Sequence, residues 1–300
     1  MNEEVSSAGH EVWDSIDVDA VRSVAWLAVP EIGEDIRRSF GDGIGFVSSV
    51  SSVLEGRGRT SELVGAALVC GDMESERDFF ERTPTVTFRE VHGYDLSRVS
   101  LERFVPRGIG WRPHHVDCNR LELTPGGFDL IVASHGAHHV ANLDNLFRQS
   151  NLALGSGGVM FMYEWIGPQF LRIPRRNRIA ATIVLMALFP RRSTRRTHMN
   201  KVKGLRWILD SADPAVDPSE ACNSLQLLPA YRRYFEPLHE YLHGSISYPM
   251  FEGIAQNLDQ SRPFVRRRIE WAVRIDRFLT RRRIVHPLFV VAIGSPKPVD

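Results

Sequence analysis

Short apolar runs bounded by turn residues alternate along this chain with stretches in which apolar positions recur every three or four residues. Residues 128–133 (FDLIVA) and 159–163 (VMFMY) are of the first kind, the pattern of strands buried on both faces. Between them Leu143, Leu146 and Phe147 share one helical face, with Leu152 near its end. A strand, a crossover helix, a glycine turn and a second strand make one βαβ unit, which implies a parallel sheet. Upstream, 64–70 and 87–94 read as strands, followed by helices from residue 75 and over 96–104, and 113–117 ends a third strand. Downstream, 237–247 contains a strand, 264–279 is an amphipathic helix and 286–294 is a last buried strand. Helical patterns at 13–40, interrupted by Pro30, and at 46–54 open the chain. Strands alternating with helices predict a doubly wound α/β fold.

Polar residues gather where the strands end: Asp117, Ser134, His135, His138, His139 and Glu164. Open parallel sheets bind their ligands at those ends. Asp95 closes the second strand 24 residues after Gly71. An acid near this spacing can accept from both hydroxyls of an adenosyl ribose, or it can cap the helix that follows.

The rhythm breaks over 169–216. From Arg172 to Trp207 there are eleven Lys or Arg and no Asp or Glu, around an apolar core at 179–189 too short to span a bilayer. A lid over the active site, a basic surface for a phosphorylated or lipid-linked substrate, a peripheral membrane contact and a plain solvated face all remain open. Asp217-Pro218-Ser219-Glu220 then reads as a helix start.

Composition sets outer limits. At 43% hydrophobic and 24% charged the chain is an ordinary globular protein, and a net charge of +1 argues against a general polyanion binder. No nucleic-acid motif is present. Cys70, Cys118 and Cys222 are far apart, so no zinc ribbon or disulfide framework is expected. The adjacent pairs His114-His115 and His138-His139 lack the i, i+4 spacing of a helical metal site, so no metal is expected either. The polar, acidic beginning is unlike a secretory signal, and a cytoplasmic location is the expectation.

Residues 117–168 resemble the class I S-adenosylmethionine-dependent methyltransferases. The likeness lies in Asp117 with Asn119, "FDLIVASHGAHHV", "LALGSGG" and "YEWIGP". It extends more loosely to "WLAVPEIGEDIRRSFGDG", to "HPLFVVAIGSPKP" and to "DPSEACNSLQLLPAYRRYFEPLHEY", the last similar to a subgroup often associated with sugar and other small-molecule acceptors. Each motif is short, and their order and spacing form the stronger signal.

The resemblance implies a Rossmann-like, mostly parallel seven-stranded sheet whose last strand inserts antiparallel beside the fifth. It implies an N-terminal helical cap at 1–60, a methyltransferase domain at 61–168 and 217–300, and a basic helical lid at 169–216. S-adenosyl-L-methionine is the implied cofactor, with Cys70, Gly71 and Asp72 at its methionyl end, Asp95 and Leu96 at the ribose, Asp117, Cys118 and Asn119 at the adenine, and Ser134 and His135 alongside. The family's first turn carries G-x-G-x-G; here Val69-Cys70-Gly71-Asp72-Met73 keeps one glycine, and Met73 is expected to intrude on the cofactor space. His138 and His139 are candidates to take the acceptor's proton. Glu164 is expected either to orient an acceptor hydroxyl or to pair with an arginine of the basic segment, where Arg175 is a candidate substrate contact. O-methylation of a small-molecule or sugar hydroxyl follows, the acceptor being the expected partner. The alternative is a methyltransferase-like binding subunit without catalysis. A dinucleotide oxidoreductase ranks below both, since no G-x-G-x-x-G follows the first strand.

Overall fold

The computed structural model describes residues 25–40, 45–197, 201–204 and 217–298. The 13–24 part of the first expected helix and Trp207 lie outside the described residues. Seven strands form one sheet: β1 (Leu63–Leu68), β2 (Phe88–Asp95), β3 (Gly110–His115), β4 (Phe128–Ser134), β5 (Leu154–Trp165), β6 (Phe235–His243) and β7 (Phe289–Pro296), in the order β3-β2-β1-β4-β5-β7-β6. The first five pair in parallel. Strand β7 runs antiparallel between β5 and β6, as the resemblance implies. The winding reverses between β1 and β4, so a crevice is expected at their carboxyl ends.

Nine α-helices are described: α1 (Pro30–Ser39), α2 (Gly45–Gly56), α3 (Arg77–Glu81), α4 (Arg98–Arg103), α5 (Leu143–Ala153), α6 (Arg175–Leu188), α7 (Ser224–Tyr234), α8 (Ser247–Phe251) and α9 (Pro263–Arg281). Strand β4 is buried along its whole length. Its Leu130 and Val132 enter a core shared with α2, α6 and α9, while Ile131 and Ala133 enter a second core under α5 and α7. Alternate residues thus serve opposite layers, and for that reason the run FDLIVA has no polar face.

Three local expectations change. Pro30 does not interrupt a helix but starts α1, where its missing N–H costs nothing. The glycine turn falls inside β5, as a break in register between Leu154, paired to Phe128, and Val159, paired to Leu130. Residues 217–223 form turns and α7 starts only at Ser224. There the Asp217 carboxylate accepts the Ser219 N–H at 2.9 Å and its hydroxyl at 2.6 Å, a local bonding pattern that competes with a helix.

The basic segment is docked rather than uniformly solvated. Helix α6 buries Asn177, Ala181, Thr182 and Leu185, and the Asn177 amide donates to the carbonyls of Ser245 (2.8 Å) and His286 (2.7 Å). Arg175, Arg176 and Arg178 are exposed. Lys203 is buried, its ammonium donating to the Pro249 carbonyl at 2.9 Å, and burial pulls its pKa down to about 7. No helix among the described residues is long and apolar enough to cross a membrane.

Aromatic rings close over the ends of β5, β6 and β7. Ring centroids of His135 and Tyr163 stand 4.3 Å apart, those of Tyr163 and His243 5.5 Å, and Trp26 stacks on His243 at 5.7 Å. Burial depresses the pKa of His135 to about 4 and of His243 to about 3, so both are neutral rings at pH 7. Below pH 6.5 the unfolded chain protonates them and the folded chain does not, so stability falls with falling pH until the folded pKa values are reached. His243→Phe removes one such site. Between pH 6.5 and 5, urea denaturation should show the variant losing about 1.4 kcal/mol per pH unit less than the wild type. Asp276, whose carboxyl burial pushes up to about 6, gives the opposite slope in both proteins and cancels in the difference. Parallel pH profiles would reject the assignment.

Candidate functional site

The turn after β1 has the backbone of a glycine loop with only one of its three glycines. Val69, Gly71 and Met73 have φ of 52°, 50° and 62°, the left-handed region that suits glycine and strains other residues. These are the three alternate positions of the family's pattern. The turn is held by the Val69 N–H donating to the Tyr94 carbonyl at 2.7 Å and the Met73 N–H donating to that of Cys70 at 2.8 Å. A Cβ added to Gly71 would meet nothing within 4 Å, so there is open room in front of it. The expected intrusion of Met73 does not occur: its side chain is fully buried in the core that holds Phe79 and Phe161.

Asp95 binds this turn to β2. One carboxylate oxygen accepts the Gly71 N–H at 2.8 Å and the other the Ser97 N–H at 2.7 Å. The helix-capping alternative does not hold, because Ser97 caps α4 by accepting from the Ser100 N–H. Leu96 is half-buried between them.

Asp117 caps the turn 118–120, its Oδ1 accepting the Asn119 N–H and side-chain amide, both at 2.9 Å. The Asn119 carbonyl oxygen of the side chain accepts the N–H groups of Ala141 and Asn142 at 2.8 and 2.9 Å, joining this turn to the loop after β4. The Asn119 N–H is thus taken up by Asp117. Cys118 is buried, its thiol donating to the Tyr94 carbonyl at 3.8 Å, and burial pushes its pKa up to about 12. Burial likewise raises the Cys70 thiol well above its usual value, so neither is a thiolate nucleophile.

One residue that sequence reasoning passed over completes the turn. Glu76 is 1% exposed, and neither of its carboxylate oxygens has a hydrogen-bond partner. Burial, reinforced by the nearby carboxylates of Asp72, Glu164 and Asp95, raises its pKa well above the carboxylate range. In "MESER" it reads as one charge of a solvated run; only the fold reveals its burial.

The loop after β4 lies against the turn. A Cβ on Gly136 would collide with the Val69 carbonyl oxygen, so only glycine permits this approach. Glu164, fully buried at the end of β5, holds the loop from the other side. Its Oε1 accepts the Gly136 and Ala137 N–H groups at 2.8 and 2.7 Å, and its Oε2 accepts from His138 Nδ1 at 2.7 Å. Glu164 thus pairs with a histidine and two backbone donors, not with an arginine of the basic segment, and its acceptor sites are filled by the loop. Ser134 bonds to His135 Nδ1 at 3.0 Å.

His138 is gripped on both sides. Its Nε2 lies 3.4 Å from Glu220 Oε1, an ion pair too long and poorly aligned to count as a good hydrogen bond. Burial works to lower its pKa, but the bond to Glu164 and the negative charges of Glu164 and Glu220 outweigh burial and push it up to about 10. His139 bonds through Nδ1 to Ser219 at 3.0 Å. Burial, then the neighbouring His138, lowers its pKa. His138, His139 and Glu220 each bring a possible ligand atom to within 4.8 Å of the others. The second pair behaves differently: His114 bonds to His92 at 3.0 Å and stacks on Tyr94. Ser219 and Glu220 were legible only as part of a supposed helix start. Arg175 is exposed in the first turn of α6, and no hydrogen bond or ion pair among the described residues joins it to the others.

The parts fit an adenosyl cofactor. Open room before Gly71, a carboxylate at the end of β2 and a buried acid without a partner surround a place where a ligand bearing ribose hydroxyls and a positive charge would be held.

Comparison with known proteins agrees. Residues 66–162 match the family described as "Methyltransferase domain". A search of curated proteins finds none that matches the chain. Among solved structures, a geranyl diphosphate C-methyltransferase from Streptomyces coelicolor A3(2) is 13% identical, with 99% of each chain covered and a TM-score of 0.49. An S-adenosylmethionine-dependent methyltransferase from Mesorhizobium loti is 18% identical, covering 84% of this chain and 99% of its own, with a TM-score of 0.42. A putative sarcosine dimethylglycine methyltransferase from Galdieria sulphuraria is 10% identical, covering 97% and 98%, with a TM-score of 0.45. The matched stretch runs from β1 into β5, so residues 66–162 carry a methyltransferase domain, for which S-adenosylmethionine is the cofactor.

Proposed function

We propose that this protein methylates a hydroxyl oxygen of a small-molecule acceptor, a sugar or an anionic metabolite. The observation that carries this reading is the buried cluster of His138, His139 and Glu220, set against the cofactor turn through Gly136. The cofactor supplies a methyl group on a positively charged sulfur. Cys70, Gly71 and Asp72 border its methionyl end, Asp95 and Leu96 its ribose, and Asp117, Cys118 and Asn119 its adenine, with Ser134 and His135 beside them. Glu76 is the counter-ion of its cationic end. In-line transfer needs placement and the exclusion of water more than covalent help. The imidazole–carboxylate cluster receives the acceptor's proton, and Glu164 acts through His138 rather than on the acceptor. Arg175 and its exposed neighbours suit the rim of a site for an anionic acceptor.

Incubation with isotopically labelled S-adenosylmethionine and a panel of hydroxylated acceptors should yield a labelled methyl ether by mass spectrometry. His139→Gln should lower kcat at least tenfold with cofactor affinity kept. Label appearing on nitrogen or carbon would refute the oxygen assignment.

Asp95→Ala should weaken S-adenosylhomocysteine binding by about 1–3 kcal/mol, because the ribose and the Gly71 turn lose a charged acceptor together. Calorimetric affinity equal to the wild type in a folded variant would remove Asp95 from the site.

Glu76→Gln tests the counter-ion. Burial favours the protonated form of Glu76 and a bound cation the charged form, so wild-type binding should release protons, seen as a buffer-dependent heat, and Glu76→Gln should release fewer and bind about tenfold more weakly. S-adenosylhomocysteine keeps the ammonium and lacks the sulfonium, so comparing both ligands tells which charge is met. Equal affinity and equal proton release in both proteins would sink the assignment.

A further inference from the structure

We propose that His138, His139 and Glu220 form a binding site for one divalent transition-metal ion of the zinc, cobalt, manganese or ferrous type. The hydrogen bonds around the cluster fix which atoms face inward. Glu164 can only accept, so its 2.7 Å bond to His138 Nδ1 keeps a proton on Nδ1 and turns Nε2 toward Glu220, where a bound metal ion would replace the second proton of the imidazolium. Ser219 donates its hydroxyl hydrogen to Asp217 at 2.6 Å, so at 3.0 Å from His139 Nδ1 it accepts, and His139 takes the same tautomer. Each imidazole is therefore oriented through Nδ1 by a bonded oxygen, directly a carboxylate in one case and a hydroxyl backed by a carboxylate in the other. Metal-binding histidines are held in this way.

The third donor is buried and lacks a hydrogen-bond partner. Glu220 is 8% exposed, its Oε1 makes no hydrogen bond, and it faces His138 Nε2 at 3.4 Å. A carboxylate oxygen and an imidazole nitrogen at that distance are bridged by a cation, either the proton on His138 Nε2 or a metal ion that displaces it. A proton would join two of the three side chains; a metal ion would gather all three, whose ligand atoms already lie within 4.8 Å of one another. Two imidazoles and one carboxylate suit borderline metals and leave coordination positions open to water or an acceptor oxygen. Such an ion would also fasten 217–223 to the loop after β4. Adjacent histidines in sequence gave no metal signal because Glu220 follows 81 residues after His139.

Titration of the full, metal-stripped chain with cobalt(II) reads the site through its visible ligand-field absorption. One equivalent should bind, zinc(II) should displace it, and thermal stability should rise with the ion. Glu220→Gln should weaken binding at least tenfold, and Glu164→Gln, which weakens the bond that orients His138, about tenfold or more. If Glu220→Gln does not fold, His139→Gln serves in its place with the same expected loss. No stoichiometric binding by the wild type, or binding that the variants leave unchanged, overturns the proposal, and the cluster is then bridged by a proton. Cofactor calorimetry on the same samples separates this result from the methyl-transfer reading, which stands or falls on cofactor and acceptor binding.

Discussion

Everything at the carboxyl edge of the sheet is organised by one fully buried carboxylate, that of Glu164. Alone in the interior it would cost several kcal/mol, so its three partners are obligatory. Two are consecutive backbone N–H groups of the loop after β4, and the third is an imidazole. They pin the loop so tightly that Gly136 meets the turn after β1, and His138 is presented to the segment that follows the basic stretch. Removing Glu164 would leave two donors and an imidazole unmatched at once, and such clusters seldom tolerate single changes.

The sheet was largely legible in the sequence. FDLIVA and VMFMY have no polar face because both layers claim them, and that signal survives in any single chain. The turn chemistry was harder. LGSGG read as a turn because glycine usually marks one, and it lies inside β5 as an unpaired bulge, with Leu154 and Val159 pairing to β4 on either side of it. DPSE read as a helix start because Pro at a first turn and nearby acids suit one, yet Asp217 spends its oxygen on Ser219 and the backbone stays in turns. In both, a nonlocal or side-chain bond overrode a local preference.

The site was half legible. Acids and histidines at strand ends could be placed on one edge from alternation alone. Which of them bond to each other could not, because Glu164 reaches back 26 residues to His138 and Glu220 reaches 82. Glu76 shows the limit most clearly. Its neighbours in sequence are charged and it reads as solvated, but the short turn before α3 folds it inward among Asp72, Asp95 and Glu164.

Gly136 has a mechanical consequence. With no side chain between them, the Val69 carbonyl and the loop after β4 form a single shared wall, so neither can move without the other. The turn runs on from Val69 to Gly71, and the loop runs on from Gly136 to His138 and His139. Val69, a β-branched residue in a left-handed conformation, holds strain that a small rotation would release. A shift of the turn at Val69 therefore meets the loop after β4 directly, with no side chain between them to absorb it.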